Sequence, residues 1–341
     1  MISIQIFGPA FSDIDTANSN QNTQDVNLFQ QFRNRFNKSF GSIADLNHRL
    51  TVFKENLKTI LNNNSDKTKS YTLGVNEFSD LTFEEFKAKY LGKTQRGDSF
   101  FSWIASFFKK KPTNNSLYVV TPERKTEKKD WRSVSGVVGA VKNQGSCGSC
   151  WAFAAVAVAE QSFVINNQQS PALLSEQELV DCSTERGSQG CKGGYENGAL
   201  DYIKNKGVNF SSDYPYLGRS QACKSIANSG KNKIKGYTSA ASGPDGAINV
   251  LKTTTATVAF FVQSDFQLYK SGIYNPSSCS NTPNHVVNLV GYDLTGDTPI
   301  FIYRNQWGTS WGDQGYAKVA ITLGAGVCGS TDTGNVYYVL P

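Results

Sequence analysis

Seven cysteines constrain this chain more than anything else in it. They stand at 147, 150, 182, 191, 223, 279 and 328, all in the later part of 341 residues. An odd number in one region leaves a thiol over, and three disulfides plus one free thiol is the simplest partition. Several disulfides point to an oxidising compartment, lysosomal (or a digestive vacuole) or extracellular. The start, "MISIQIFGPAF", lacks a basic region and carries a short, interrupted apolar stretch, so it reads as a poor secretory signal. Sequons at Asn37, Asn63, Asn114 and Asn209 suit secretion, although such tripeptides are common by chance.

Two of the cysteines lie three apart in "NQGSCGSCWAF", residues 143–153. A tetrahedral zinc site needs four Cys or His ligands, usually as two close pairs. No second C-x-x-C exists, and the only histidines are His48 and His285, so no metal site is expected. A dithiol redox centre belongs beside a βαβ pattern, which is absent. The remaining reading gives the two thiols unrelated jobs. Cys150 opens the Ala-rich run "CWAFAAVAVAEQSFVI". At a helix start, unpaired N–H groups and the dipole favour a thiolate. His285 is the only imidazole in the cysteine-bearing part, which makes it the candidate base. Asn305, in "RNQWGTSWGDQGY", is a candidate to orient that ring, with the Trp307 indole shielding the bond from water. Gln144 can aim its amide at a developing oxyanion beside the Cys150 N–H.

The rest of the chain organises around this set. Residues 1–25 carry no assignment. Residues 26–95 read as helical, with Arg49, Phe53, Asn56, Ile60 and Asn64 forming one helix stripe and Thr82-Phe-Glu-Glu85 a capping box. Residues 96–125 read as a basic linker and 126–341 as the main domain. Inside the linker, "FFSWIASFFKKK" is either an interfacial membrane anchor or a hydrophobic tether folded on its neighbour; its brevity favours the tether. No apolar run is long enough to span a membrane as a helix. In the main domain, helical signals fill 150–206, including a Ser175-x-x-Glu178 capping box, and short β-rich runs follow residue 255. That order predicts an α+β fold with a cleft at the seam. The net charge of +6 comes wholly from before Asp130, since fifteen basic and fifteen acidic residues follow from there. A basic linker is no nucleic-acid footprint, so no such partner is expected.

These pieces resemble the papain-family (cathepsin L-like) cysteine proteases. The resemblance rests on "DWR" at 130–132, "NQGSCGSCWAF", "LSEQELVDC", "GCKGG" at 190–194, "NHVVNLVGY" and "NQWGTSWGDQGY". It implies a papain-like two-lobed fold, a helical lobe beside an antiparallel β-barrel-like lobe, and a monomeric, cofactor-free endopeptidase acting on proteins and peptides. It also implies disulfides Cys147–Cys191, Cys182–Cys223 and Cys279–Cys328, which leave Cys150 free as nucleophile. Gly193 and Gly194 would pair with extended substrate, while Tyr195, Glu196, Val286 and further Phe261 and Thr333 would shape a side-chain pocket. The helical N-terminal part resembles the inhibitory prosegment of these enzymes, which implies a segment lying through the cleft in a non-productive orientation. Its long helix follows the pattern called ERFNIN, with Asp45 where Glu is usual, and "GVNEFSD" matches a second prosegment motif. The implied activation is a cut in the basic linker between about 112 and 129, with acid loosening the prosegment by protonating carboxylates such as Asp80. The family's usual Asn-Ser-Trp-Gly is Asn305-Gln306-Trp307-Gly308 here. Two other classes remain open at this level: a binding scaffold whose prosegment never leaves, and a metal or redox C-x-x-C protein.

Overall fold

The structure, a computed structural model, describes residues 21–92, 116–166, 173–224 and 231–341. The "FFSWIASFFKKK" stretch and Asn114 lie outside the described residues. Helix α1 (Gln21–Arg35) starts five residues before the expected boundary at 26. What anchors it is the aromatic group Phe29, Phe32 and Phe53, and the polar residues ahead of that anchor give no periodic signal of where the helix begins. Helix α2 (Ile43–Ser65) carries the predicted stripe. Phe53 and Ile60 are fully buried. Alternating with them along the stripe, Arg49 donates to the Asp80 carbonyl (3.1 Å), Asn56 to those of Ser79 (2.9 Å) and Leu81 (3.0 Å), and Asn64 to that of Leu73 (2.9 Å). The alternation has a purpose. Residues 73–81 run largely outside any ladder, and the polar members of the stripe satisfy their backbone groups.

A short strand, β1 (Tyr71–Leu73), was not expected in this helical part; it pairs antiparallel with residues 269–274. Helix α3 (Phe83–Tyr90) has the full capping box at Thr82 and Glu85. The end of the linker is also better held than its composition suggests. Leu117 bridges to Thr322, and the Tyr118 N–H donates to the Ile321 carbonyl (2.9 Å). Tyr118 and Arg124 both bond Asp245. One buried aromatic and one ion pair suffice where no period is visible. Strand β2 (Lys128–Asp130) follows, and the Asp130–Arg132 pair (2.7 Å) is structural.

Helices α4 (Cys150–Ile165), α5 (Glu176–Cys182) and α6 (Glu196–Lys206) make one lobe. Helix α4 is apolar on every face along residues 150–159, as a central helix must be, and all ten of those residues are buried. The Ser175 hydroxyl caps the Glu178 N–H (3.0 Å), but Glu178 does not reach back. Its carboxylate instead accepts from Tyr202 and Asn209, so the predicted capping box is only half formed. Buried donors from other elements outcompete the local one. The second lobe contains β3 (Tyr237–Ser239), α7 (Pro244–Leu251), β4 (Ala256–Phe260), α8 (Ser264–Gln267), β5 (Tyr269–Tyr274), β6 (His285–Asp293), β7 (Ile300–Arg304), β8 (Tyr316–Ala320) and β9 (Val336–Val339). The sheet runs β1-β5-β8-β7-β6-β4-β9-β3 with β2 beside β6; all pairings are antiparallel except β5 with β8. This is the α+β, two-lobed arrangement expected.

One hydrophobic cluster centred on Trp151 fills the helical lobe, and another fills the sheet lobe. The second runs without a break into the prosegment, from Trp307 and Trp311 to Phe78, Phe86 and Phe53. Between the lobes sits a small group: Cys150, Ala154, Ala259 and Val286.

Candidate active site

Three elements converge on that small group. Cys150 is the first residue of α4, where the helix leaves its N–H groups unpaired. His285 and Val286 open β6. A reciprocal pair of buried amides holds helix to strand: Gln161 donates to Asn288 (2.6 Å) and Asn288 back to Gln161 (3.0 Å). Asn305 and Trp307 follow β7. The His285 Nε2 lies 2.9 Å from Asn305 Oδ1, and the Trp307 indole stacks on the imidazole at 4.6 Å. With Nε2 so engaged, Nδ1 is left buried and without a hydrogen-bond partner. The Trp307 Nε1 donates to Gln144 Oε1 (3.2 Å), which turns the Gln144 Nε2 towards the Cys147 carbonyl (2.6 Å) and the Tyr90 carbonyl (2.9 Å). All four predicted catalytic candidates, Cys150, His285, Asn305 and Gln144, therefore lie around one seam.

The thiols are disposed around the same seam. Sulfur–sulfur bonds join Cys147 to Cys191, Cys182 to Cys223 and Cys279 to Cys328, and Cys150 is free and buried. Cys147–Cys191 ties the loop before α4 to the glycine turn at 193–194. Gly193 has φ +120°, a conformation that side chains avoid. A methyl on Gly194 would meet the Trp151 ring at 2.6 Å. Glycine is needed at both. Tyr195 and Glu196 follow at the start of α6, and Glu196 is buried. Val286 touches Cys150 directly.

The prosegment engages this seam, as the resemblance implies, through residues that sequence reasoning did not name. Tyr90 and Gly92, at the end of α3, enter it. A methyl on Gly92 would come within 3.0 Å of Gly193 Cα, 3.2 Å of the Gly148 carbonyl and 3.9 Å of Cys150 Sγ. The oxygen on Gln144 belongs to the Tyr90–Leu91 peptide, while the sulfur faces the N–H of the next one, at Gly92. Gln144 and the sulfur thus engage two successive peptide units of the prosegment. The local sign of these particular residues is a glycine at the end of a capped helix.

Covering the seam sets its protonation. Burial pushes the Cys150 thiol up to about 11, opposed by the N–H groups of Val286 and Gly92 and assisted by the Glu196 charge. Burial likewise pushes His285 down to about 4, against the Asn305 bond. In this covered state burial favours the neutral form of both groups. Among the described residues, no cluster of His, Cys, Asp or Glu is arranged to hold a metal, and no helix is long and apolar enough to cross a membrane.

A lone thiol at a helix tip, opposite a histidine strand, in a cleft filled by the chain's own N-terminal segment, is the architecture of a thiol protease in its latent form. Comparison with known proteins gives the family. Residues 125–337 match the model described as papain family cysteine protease, and residues 29–86 match the cathepsin propeptide inhibitor domain. The chain is 38% identical to a cathepsin L-like proteinase of Fasciola hepatica over 89% of its own length and 90% of that protein. It is 36% identical to thiol protease aleurain of Arabidopsis thaliana, over 88% of this chain and 81% of that one. A digestive procathepsin from Tenebrio molitor larval midgut superposes with TM-score 0.78 at 30% identity, covering 93% of this chain and 100% of the other. A recombinant stem bromelain precursor gives 0.77 at 30%, covering 93% and 98%. This chain belongs to the papain family of cysteine proteases and carries that family's inhibitory prosegment.

Proposed function

We propose that the chain is a latent endopeptidase that hydrolyses peptide bonds through an acyl-thioester once its prosegment leaves. Removing Tyr90 and Gly92 readmits water, and the burial that holds Cys150 and His285 neutral is relieved. The thiol proton then passes to His285 Nδ1, and the thiolate attacks the substrate carbonyl carbon. Gln144 Nε2 and the Cys150 N–H stabilise the oxyanion. His285 returns the proton to the leaving amine; it next takes a proton from water, whose oxygen attacks the thioester and frees the acid and the thiol. Asn305 holds the ring throughout. The observation that carries this reading is the engaged Nε2 and unpartnered Nδ1 of His285, beside the strand residue that touches Cys150. Replacing Cys150 by Ala tests it: hydrolysis must disappear while the fold stays.

Substrate would lie where Gly92 lies, against Gly193 and Gly194 in the manner of an added strand. Tyr195, Glu196 and Val286 would line the neighbouring pocket, and the carboxylate suits a basic side chain. Proteins and peptides are the substrates, the working form is a monomer, and the disulfides fit a lysosomal, vacuolar or secreted setting. The maturation cut falls in the 96–125 linker.

Acid is the proposed trigger, and two carboxylates do not supply it. Burial opposes the charge on Glu85, but the Arg49 bond and the Thr82 N–H override it and hold the group at about 2. A depressed carboxylate gives stability that is full above its unfolded value, about 4.5, and is lost only as pH falls through about 2. That contact survives mild acid. Glu77 is raised by burial against the protease domain, so docking takes up a proton and is favoured as pH falls. Of the prosegment's other ion pairs, Lys38–Asp80 (3.1 Å) has the most buried carboxylate and is the one to test. The full chain with Asp80→Asn should process near neutrality at the rate the parent shows in acid, read on a gel. An unchanged need for acid would place the trigger elsewhere.

A further inference from the structure

We propose that Gln306 is a positioning residue for the catalytic pair, joining the imidazole to the strand that solvates the thiolate. The inference rests on the catalytic reading of Cys150 and His285. Gln306 stands where the family usually has a serine, and it is 4% exposed. Its amide Nε2 donates to the Val286 carbonyl (2.9 Å) and lies 3.4 Å from His285 Nε2. Its backbone N–H donates to Asn305 Oδ1 (2.9 Å), the same oxygen that faces the imidazole. Its carbonyl accepts the Gln144 N–H (2.9 Å). One residue thereby touches the supports of every group in the proposed mechanism.

The side chain does what a serine is too short to do. Val286 gives its carbonyl to Gln306 and its N–H, which belongs to the preceding peptide unit, to the Cys150 sulfur. The two units meet at the Val286 Cα, so holding the carbonyl restrains the backbone that carries the donor favouring the thiolate. The other consequence concerns the ring. When His285 is protonated, its Nε2–H points at Asn305 Oδ1, and the positive end of the Gln306 amide lies beside it. That placement disfavours the imidazolium. Among the described residues, Glu196 is the charged side chain shown acting on Cys150, and His285 is faced by Asn305, Phe260 and Trp307, none of them charged. Gln306 is therefore free to set the balance.

The test uses the processed enzyme, matured where necessary by a trace of the parent and counted by active-site titration. Gln306→Ser should lower kcat about tenfold, the loss expected of one buried hydrogen bond, with KM within about twofold. The acid limb of kcat/KM should rise by about half a pH unit as the Val286 N–H loosens from sulfur. The alkaline limb should rise too, because the amide no longer opposes the imidazolium. Gln306→Glu keeps the length and puts a carboxylate at the ring, so its alkaline limb should rise furthest, by about one unit. Limbs that match the parent in both variants would overturn the proposal, even if thermal stability fell, because that is the signature of packing alone. A parent that is itself inactive, or a Cys150→Ala variant that is active, would instead overturn the underlying reading.

Discussion

Processed Cys150→Ala protein is expected to lose at least about four orders of magnitude in kcat/KM on peptide substrates, down to what binding and the oxyanion donors alone provide. Cys150 is the only free cysteine among the described residues and is fully buried between Ala154, Ala259 and Val286. Alanine removes one sulfur atom from that group and leaves the three disulfides untouched, so the thermal midpoint should move little. Full-length Cys150→Ala should also remain unprocessed in acid unless parent enzyme is added. Activity within about tenfold of the parent would mean that another group attacks the substrate, and the site would have to be rebuilt.

Phe78→Ala should abolish latency. Phe78 belongs to the prosegment and is fully buried. Its ring centroid lies 5.1 Å from Phe86, 4.8 Å from Tyr90 and 5.8 Å from Trp307, the indole that stacks on His285. A buried Phe→Ala truncation costs about 3–5 kcal/mol. Each 1.4 kcal/mol is about tenfold in an equilibrium, so prosegment docking should weaken by at least about a hundredfold. The readout is the rate at which a small thiol reagent labels Cys150 in the intact chain at neutral pH. That rate should rise by a similar factor. Labelling as slow as in the parent would show that Tyr90 and Gly92 stay in the cleft without this anchor.

The chemistry of the site was legible because each part of it has a local sign. A thiol opening an Ala-rich run, one histidine in the cysteine-bearing part, and an asparagine and a glutamine in reach of it are features of composition and position. The α2 stripe was legible for the same reason, since helix geometry places every fourth or third side chain on one line. The resemblance added what spacing does not contain, above all which cysteines pair. What escaped was set by distant partners. The three residues of β1 are too few to show a period, and their partner lies about two hundred residues further on. Glu178 has the spacing of a cap, but Tyr202 and Asn209 take its carboxylate. The substitution at Gln306 reads as a neutral neighbour change until its side chain is seen reaching across to β6.

The central claim is best tested by the pH dependence of Cys150 alkylation in the processed protein, using a small uncharged reagent and comparing it with the intact chain. With the prosegment gone, the thiolate should be kept by its imidazolium partner and remain reactive below about pH 5, well under the ordinary thiol range near 8.5. The intact chain should stay unlabelled across the same interval. If the processed thiol instead became reactive only near pH 8.5 or above, Cys150 and His285 would not share a proton, and the account would fail.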